Sequence, residues 1–135
     1  MSATAPASTS GMLLCFDDEQ AIAQAAASAA GLSLAVIQRH RFPDGELRLR
    51  LPEALPPRVV IWRGLHQPNE KIVELLLVAP TARQLGAQHL TLVAPYLAYM
   101  RQDIAFNPGE VVSQRAAAGR IHRQPTPGCA ADRPR

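Results

Sequence analysis

The order of apolar runs and helical stretches predicts an α/β domain with a mainly parallel sheet flanked by helices. Three observations carry that expectation. Short apolar runs at 12–16 (MLLCF), 59–65 (VVIWRGL) and 89–94 (HLTLVA) have the length and side chains of buried strands. Two helical stretches, 21–30 and 69–85, separate such runs and each stops at a glycine, Gly31 and Gly86. The last run breaks at Pro95 into a polar loop, and the carboxyl ends of strands are where open α/β sheets place ligands.

Each element follows from local chemistry. After the first strand, Asp17 and Asp18 are N-cap candidates and Glu19 puts negative charge in the first helical turn. The alanine-rich stretch that follows is a good helix former. Residues 32–42 return to strand character through Leu32, Leu34, Val36 and Ile37. Pro43 presets φ and Asp44-Gly45 is a strong turn pair, so 42–46 reads as a hairpin turn. Beyond it Leu47, Leu49 and Leu51 alternate with Arg48 and Arg50, a half-exposed strand. Pro52 to Arg58 is a proline-rich connection. Asn69 is a cap candidate for the second helix, whose apolar residues exceed one face and predict packing on both sides. Pro80 lies inside that helix, where a bend or break is expected.

At 135 residues the chain holds one domain at most, with an ordinary apolar fraction. No run reaches the ~20 apolar residues of a membrane helix, and the first ten residues lack a signal-peptide pattern. The expected location is cytoplasmic. Cys15 reads as a small buried hydrophobe, and Cys129 has no partner at metal spacing. The net charge of +3 falls entirely in residues 116–135; residues 1–115 balance, so no basic face for nucleic acid is expected. Residues 1–11 and 119–135 lack a burial pattern and read as disordered, with 12–118 as the folded part.

Chemistry concentrates in 91–115, TLVAPYLAYMRQDIAFNPGEVVSQR. Arg101 offers a planar charged fork for phosphate, and Gln102 both a donor and an acceptor. The plain alternative is a solvated loop after a strand. Here a resemblance enters. Pro95-Tyr96, then Tyr99-Met100-Arg101-Gln102-Asp103, then Gly109-Glu110 and Ser113 resemble the ATP-side segment of the ribose-phosphate pyrophosphokinases (phosphoribosyl-pyrophosphate synthetases). Arg41 to Glu46 resembles that family's adenine-contacting loop, and 69–77 (NEKIVELLL) is similar to the helix between its next two motifs.

The resemblance implies an incomplete phosphoribosyltransferase-like domain, the truncated N-terminal part of an enzyme with two such domains. The family reaction moves a diphosphoryl group from ATP to the 1-hydroxyl of ribose 5-phosphate and releases AMP. By resemblance Phe42 would stack on adenine, with Asp44 and Glu46 accepting from the exocyclic amine. Arg101 and Gln102 would meet the nucleotide on the neighbouring face, and Asp103 would orient Arg101. ATP and Mg²⁺ are the implied cofactors, with the Mg²⁺ ligands absent from this chain. A ribose 5-phosphate site belongs only to the complete enzyme, and homo-oligomers are implied, the 42–46 loop reaching a neighbouring subunit.

The sequence departs from the family at two places. Asp17-Asp18-Glu19 replaces a small polar loop, and carboxylates there would repel phosphate. Past Arg115 the family pattern stops, which reads as a truncation or a frame change, or else as an authentic tail. The expected role is therefore the nucleotide-binding and subunit-contact part of the enzyme, inactive alone and with no catalytic residue. Two alternatives stand: a non-catalytic module joining full-length family subunits through the Phe42 loop and the apolar 59–78 surface, or an unrelated α/β nucleotide binder.

Overall fold

The computed structural model describes residues 11–101, 103–114 and 116–117. The expectations for residues 1–10, for the tail from 118, for Cys129 and for Gln102 fall outside them.

Five strands form one sheet in the order β3-β2-β1-β4-β5: β1 Met12–Phe16, β2 Ser33–Arg41, β3 Leu47–Arg50, β4 Arg58–Trp62 and β5 His89–Val93. Four of them run parallel, and β3 pairs antiparallel with β2 through the hairpin at 42–46. Helix α1 (Gln20–Ala30) joins β1 to β2, and α2 (Pro68–Gln84) joins β4 to β5. The mixed α/β sheet is the architecture expected from the sequence.

Alternation along β1 sends its side chains into two different cores. Leu14 and Phe16 join Ile37, Val59, Ile61, Leu75 and Val78 beneath α2. Leu13 and Cys15 join Ala23 and Ala27 of α1, with Trp62 half-buried against them. β1 is therefore packed on both faces, as a central parallel strand requires. Cys15 is a core residue as expected; burial, then the charges of Glu19, Asp18 and Asp17, push its thiol pKa up, which keeps it protonated and inert. At the foot of the sheet Gly86 adopts φ 123°, and a Cβ there would meet the Leu55 carbonyl at 2.7 Å.

Three local expectations are corrected. Asp17 and Asp18 do not cap a helix: Asp17–Glu19 forms a 3₁₀ turn with no side-chain cap bond. Their carboxylates pair with Arg39 and Arg63 instead, where both partners carry charge. Asn69 is not the cap of α2, which begins at Pro68 after Gln67 in a left-handed conformation, φ 49°. Finally, α2 runs uninterrupted through Pro80. The proline's missing N–H falls where the helix is half-exposed, and next to it the Thr81 hydroxyl donates to the Leu77 carbonyl at 3.1 Å.

Candidate functional site

In this topology the chain turns one way from β1 to β2 and the other way from β4 to β5. The switch point therefore lies between the carboxyl ends of β1 and β4, the usual ligand crevice of such sheets. In this protein the crevice is filled by the chain's own charges. Arg63, just past β4, is 1% exposed and Glu74 of α2 is equally buried; their Nη2 and Oε2 atoms are 2.7 Å apart. Arg63 Nη1 also donates to Asp18 at 2.7 Å and to Glu19 at 3.1 Å. Both Glu19 oxygens lie 3.1 Å from the Gly64 amide. Arg39 adds bonds to Glu74 at 2.6 Å and to Asp17 at 3.0 Å.

Both guanidiniums also lie over the Phe16 ring, the Arg63 carbon 4.3 Å and that of Arg39 5.5 Å from its centre. Burial pushes the Asp18 carboxyl up, but the hydrogen bond from Arg63 and the charges of Arg63 and Arg39 outweigh it and hold the carboxyl below its usual range. The Glu19 carboxylate thus occupies the backbone amide and the arginine that an incoming phosphate would need. Sequence reasoning expected these acids to repel phosphate; the structure shows them paired with arginines and the Gly64 amide. That reasoning missed Arg39, Arg63 and Glu74, for which the only signal was an arginine and a glutamate inside otherwise apolar runs.

A second group of residues gathers around the first turn of α2. From one side comes the β2–β3 hairpin. Arg41 donates to both oxygens of Glu70 at 2.5 and 2.8 Å, and this pair holds the Glu70 carboxyl low. The turn itself is closed by the Phe42 amide donating to the Glu46 carbonyl at 2.8 Å and by the Asp44 carboxylate accepting from the Glu46 amide at 3.0 Å. Gly45, at φ 94°, takes the position a side chain would strain. Phe42 stands 38% exposed, its ring edge-on to His40 at 4.8 Å, while Asp44 and Glu46 are exposed.

From the other side comes the loop after β5. The Tyr99 hydroxyl hydrogen-bonds to Asn69 Oδ1, and Tyr99 itself has a positive φ of 61°. The Tyr96 carbonyl accepts from the Leu65 amide at 2.9 Å, and the Tyr96 ring stacks on His66 at 4.1 Å. Arg101 and Asp103 follow, both exposed, and Glu110 closes the loop by accepting from Asn107 Nδ2 at 2.7 Å and from the Phe106 amide at 2.9 Å.

Consecutive residues Asn69 and Glu70 therefore anchor the two segments that carry the sequence-predicted site. No hydrogen bond, ion pair or ring contact joins Phe42, Asp44 or Glu46 directly to Arg101 or Asp103 among the described residues. Nor do three His, Cys, Asp or Glu side chains converge there at metal-binding spacing.

A mainly parallel sheet whose strand order reverses between β1 and β4 places the chain among the doubly wound α/β domains. Phosphoribosylpyrophosphate synthetase from Mycobacterium smegmatis shares the fold, with a TM-score of 0.68 and 22% identity over 82% of this chain and 38% of that one. A family model described as the N-terminal domain of ribose phosphate pyrophosphokinase matches residues 12–123. The chain belongs to that family. It is 42% identical over 86 residues to the ribose-phosphate pyrophosphokinase of Methanopyrus kandleri, covering 63% of this chain and 30% of the relative. Against the enzyme of Halobacterium salinarum it is 36% identical over 110 residues, covering 82% and 39%. The chain thus spans well under half the length of these relatives. None of its described helices is long and apolar enough to cross a membrane.

Proposed function

We propose that this chain supplies the nucleotide-side part of a ribose-phosphate diphosphokinase, the activity that converts ATP and ribose 5-phosphate to phosphoribosyl pyrophosphate and AMP. In this reading residues 12–118 are the functional domain, and Phe42, Asp44, Glu46, Arg101, Gln102 and Asp103 form its ATP-binding set. The observation that carries it is the common anchorage of the hairpin loop and the Arg101 loop on the first turn of α2. That arrangement presents an aromatic face, carboxylate acceptors and a guanidinium fork beside a helix amino terminus, the chemistry of an adenine and its phosphates. Diphosphoryl transfer depends on positioning and charge stabilisation, and this chain contributes the positioning of the nucleotide. A Mg²⁺ bound to ATP would arrive with the substrate, and ribose 5-phosphate would be held by residues outside this chain. The chain by itself forms no phosphoribosyl pyrophosphate.

The test is a chimaera in which residues 12–115 are followed by the downstream part of the Methanopyrus kandleri relative. Phe42→Ala and Arg101→Ala should each raise the KM for ATP while leaving that for ribose 5-phosphate in place. Where the site is shared between subunits, mixed oligomers of the two variants regain activity above either alone. Unchanged ATP dependence in both variants would remove this assignment.

A further inference from the structure

β3 is one edge of the sheet and pairs only with β2. Its residues alternate in character. Leu47 and Leu49 are half-buried, and Leu49 packs on the core beneath α2. Arg48 and Arg50 stand exposed on the other face, directly across from His40 and Gln38. Neither neighbour is an acid. Arg39, Arg41 and Arg63 all sit in ion pairs, whereas Arg48 and Arg50 have no carboxylate within ion-pair distance among the described residues.

The backbone of this edge is open as well. The Phe42 amide donates to the Glu46 carbonyl, and bonded pairs recur at every second residue of an antiparallel ladder. His40–Arg48 and Gln38–Arg50 therefore bond inward, and the N–H and C=O groups of Leu47 and Leu49 point out from the sheet. Charge on an edge strand keeps copies apart, since two β3 strands brought together would set arginine against arginine. The same charges admit a strand of opposite sign, whose side chains at i and i+2 repeat at the spacing of Arg48 and Arg50. An open hollow of about 500 Å³ beside these arginines leaves room for them.

We infer that the free edge of β3 takes up an extended segment of another protein as a sixth strand, one with acidic side chains at i and i+2 and an apolar residue between them. The acids meet Arg48 and Arg50, and the apolar residue lies beside the leucines on the opposite face. In this chain's own sequence acids stand two apart only at Asp17/Glu19 and Asp44/Glu46, with Asp18 and Gly45 between them. A second copy therefore cannot supply the segment. Nucleotide binding is not involved, so the two readings fail separately. A short ladder and two charge pairs give a dissociation constant on the order of 100 μM.

The experiment titrates the full 135-residue chain with a capped peptide of alternating glutamate and valine at low ionic strength, followed through backbone amide resonances. Saturable shifts along β3 and slower hydrogen exchange at the Leu47 and Leu49 amides are expected. Arg48→Glu combined with Arg50→Glu should weaken this peptide about thirtyfold and confer binding of an alternating lysine–valine peptide. Circular dichroism checks its folding, and Arg48→Ala with Arg50→Ala, a milder pair at the same exposed positions, should still lose about tenfold. No saturable shift by about 1 mM peptide, ten times the expected dissociation constant, would overturn the proposal. So would equal affinity of the wild type for the lysine–valine peptide, or binding that leaves the Leu47 and Leu49 amides unprotected. Displacement of the peptide by an equal concentration of inorganic diphosphate would make the face a small-anion site and overturn it too.

Discussion

Two regions at the carboxyl ends of the strands have opposite characters. The crevice between β1 and β4 is closed by a lattice of ion pairs centred on Arg63 and Glu74, with the Glu19 carboxylate on the Gly64 amide. The neighbouring region around the first turn of α2 is open, its aromatic, acidic and basic groups largely exposed and braced from behind by Arg41–Glu70 and Tyr99–Asn69. Ligand recognition in an open α/β sheet normally falls at the switch point. Here that place holds the sheet and α2 together, and the proposed nucleotide-binding residues lie in the flanking loops. A strand-end crevice and a binding site are separable: burial decides which one a charged cluster becomes.

The largest effect should come from breaking the closed region. Glu74→Ala leaves Arg63 buried with fewer partners and should cost about 3–5 kcal/mol, read as a lower urea midpoint. The double replacement Arg63→Met with Glu74→Leu should cost less than the sum of the two single changes, because neither fully buried charge is left facing an empty partner position. Arg39 keeps Asp17, and Glu19 keeps the Gly64 amide. Additive losses would mean that the pair is not coupled.

The open region should respond in binding and not in stability. Arg101→Ala in the chimaera should weaken ATP by about 1.5–3 kcal/mol and Phe42→Ala by about 1 kcal/mol, with unfolding midpoints unchanged. A stability loss matching the binding loss would make the loops structural.

The two regions can also be made to exchange character. Glu19→Ala frees the Gly64 amide and one face of Arg63. Inorganic phosphate should then stabilise the variant by about 1 kcal/mol at a few times its dissociation constant, and the wild type not at all. Equal response of the two chains to phosphate in thermal melts would show that Glu19 is not filling an anion position.

The smallest effect is in acid. The folded Asp18 carboxyl lies below its unfolded value, so its contribution is present above the ordinary carboxylate range and is lost as pH falls through the folded value. Asp18→Asn should remove that share, giving a shallower loss of stability on acidification below about pH 4. An acid limb as steep as that of the wild type would assign the pH dependence to other carboxylates.

Much of this was legible in the sequence because it depends on neighbours along the chain. The strand at Met12–Phe16, the turn at Asp44-Gly45, the alternation of Leu47 to Arg50 and the stop at Gly31 follow from period, turn chemistry and backbone preference. The motifs around Phe42 and Arg101 stood out for the same reason, since loop residues of unusual chemistry need no fold to be noticed. The apolar excess of 72–78 raised the expectation that α2 packs on both sides, but in the structure only one side is buried and Val73, Leu76 and Leu77 stand exposed.

Only the tertiary structure decided where the charges go. Asp17 and Asp18 looked like helix caps because capping is local, yet Arg39 and Arg63 arrive from strands far along the chain and outcompete backbone amides for them. Nothing near Arg63 in sequence says that it will be buried against the Phe16 ring and matched by Glu74. That pairing exists because parallel strands β1 and β4 lie side by side and α2 returns across them. Asn69 and Glu70 likewise became anchors of two loops only when β2 and β5 ended on either side of them. Local preferences are summed over a few residues and can be read one by one. A buried ion pair depends on the dielectric and on partners from several strands at once, and those are set only when the sheet has formed.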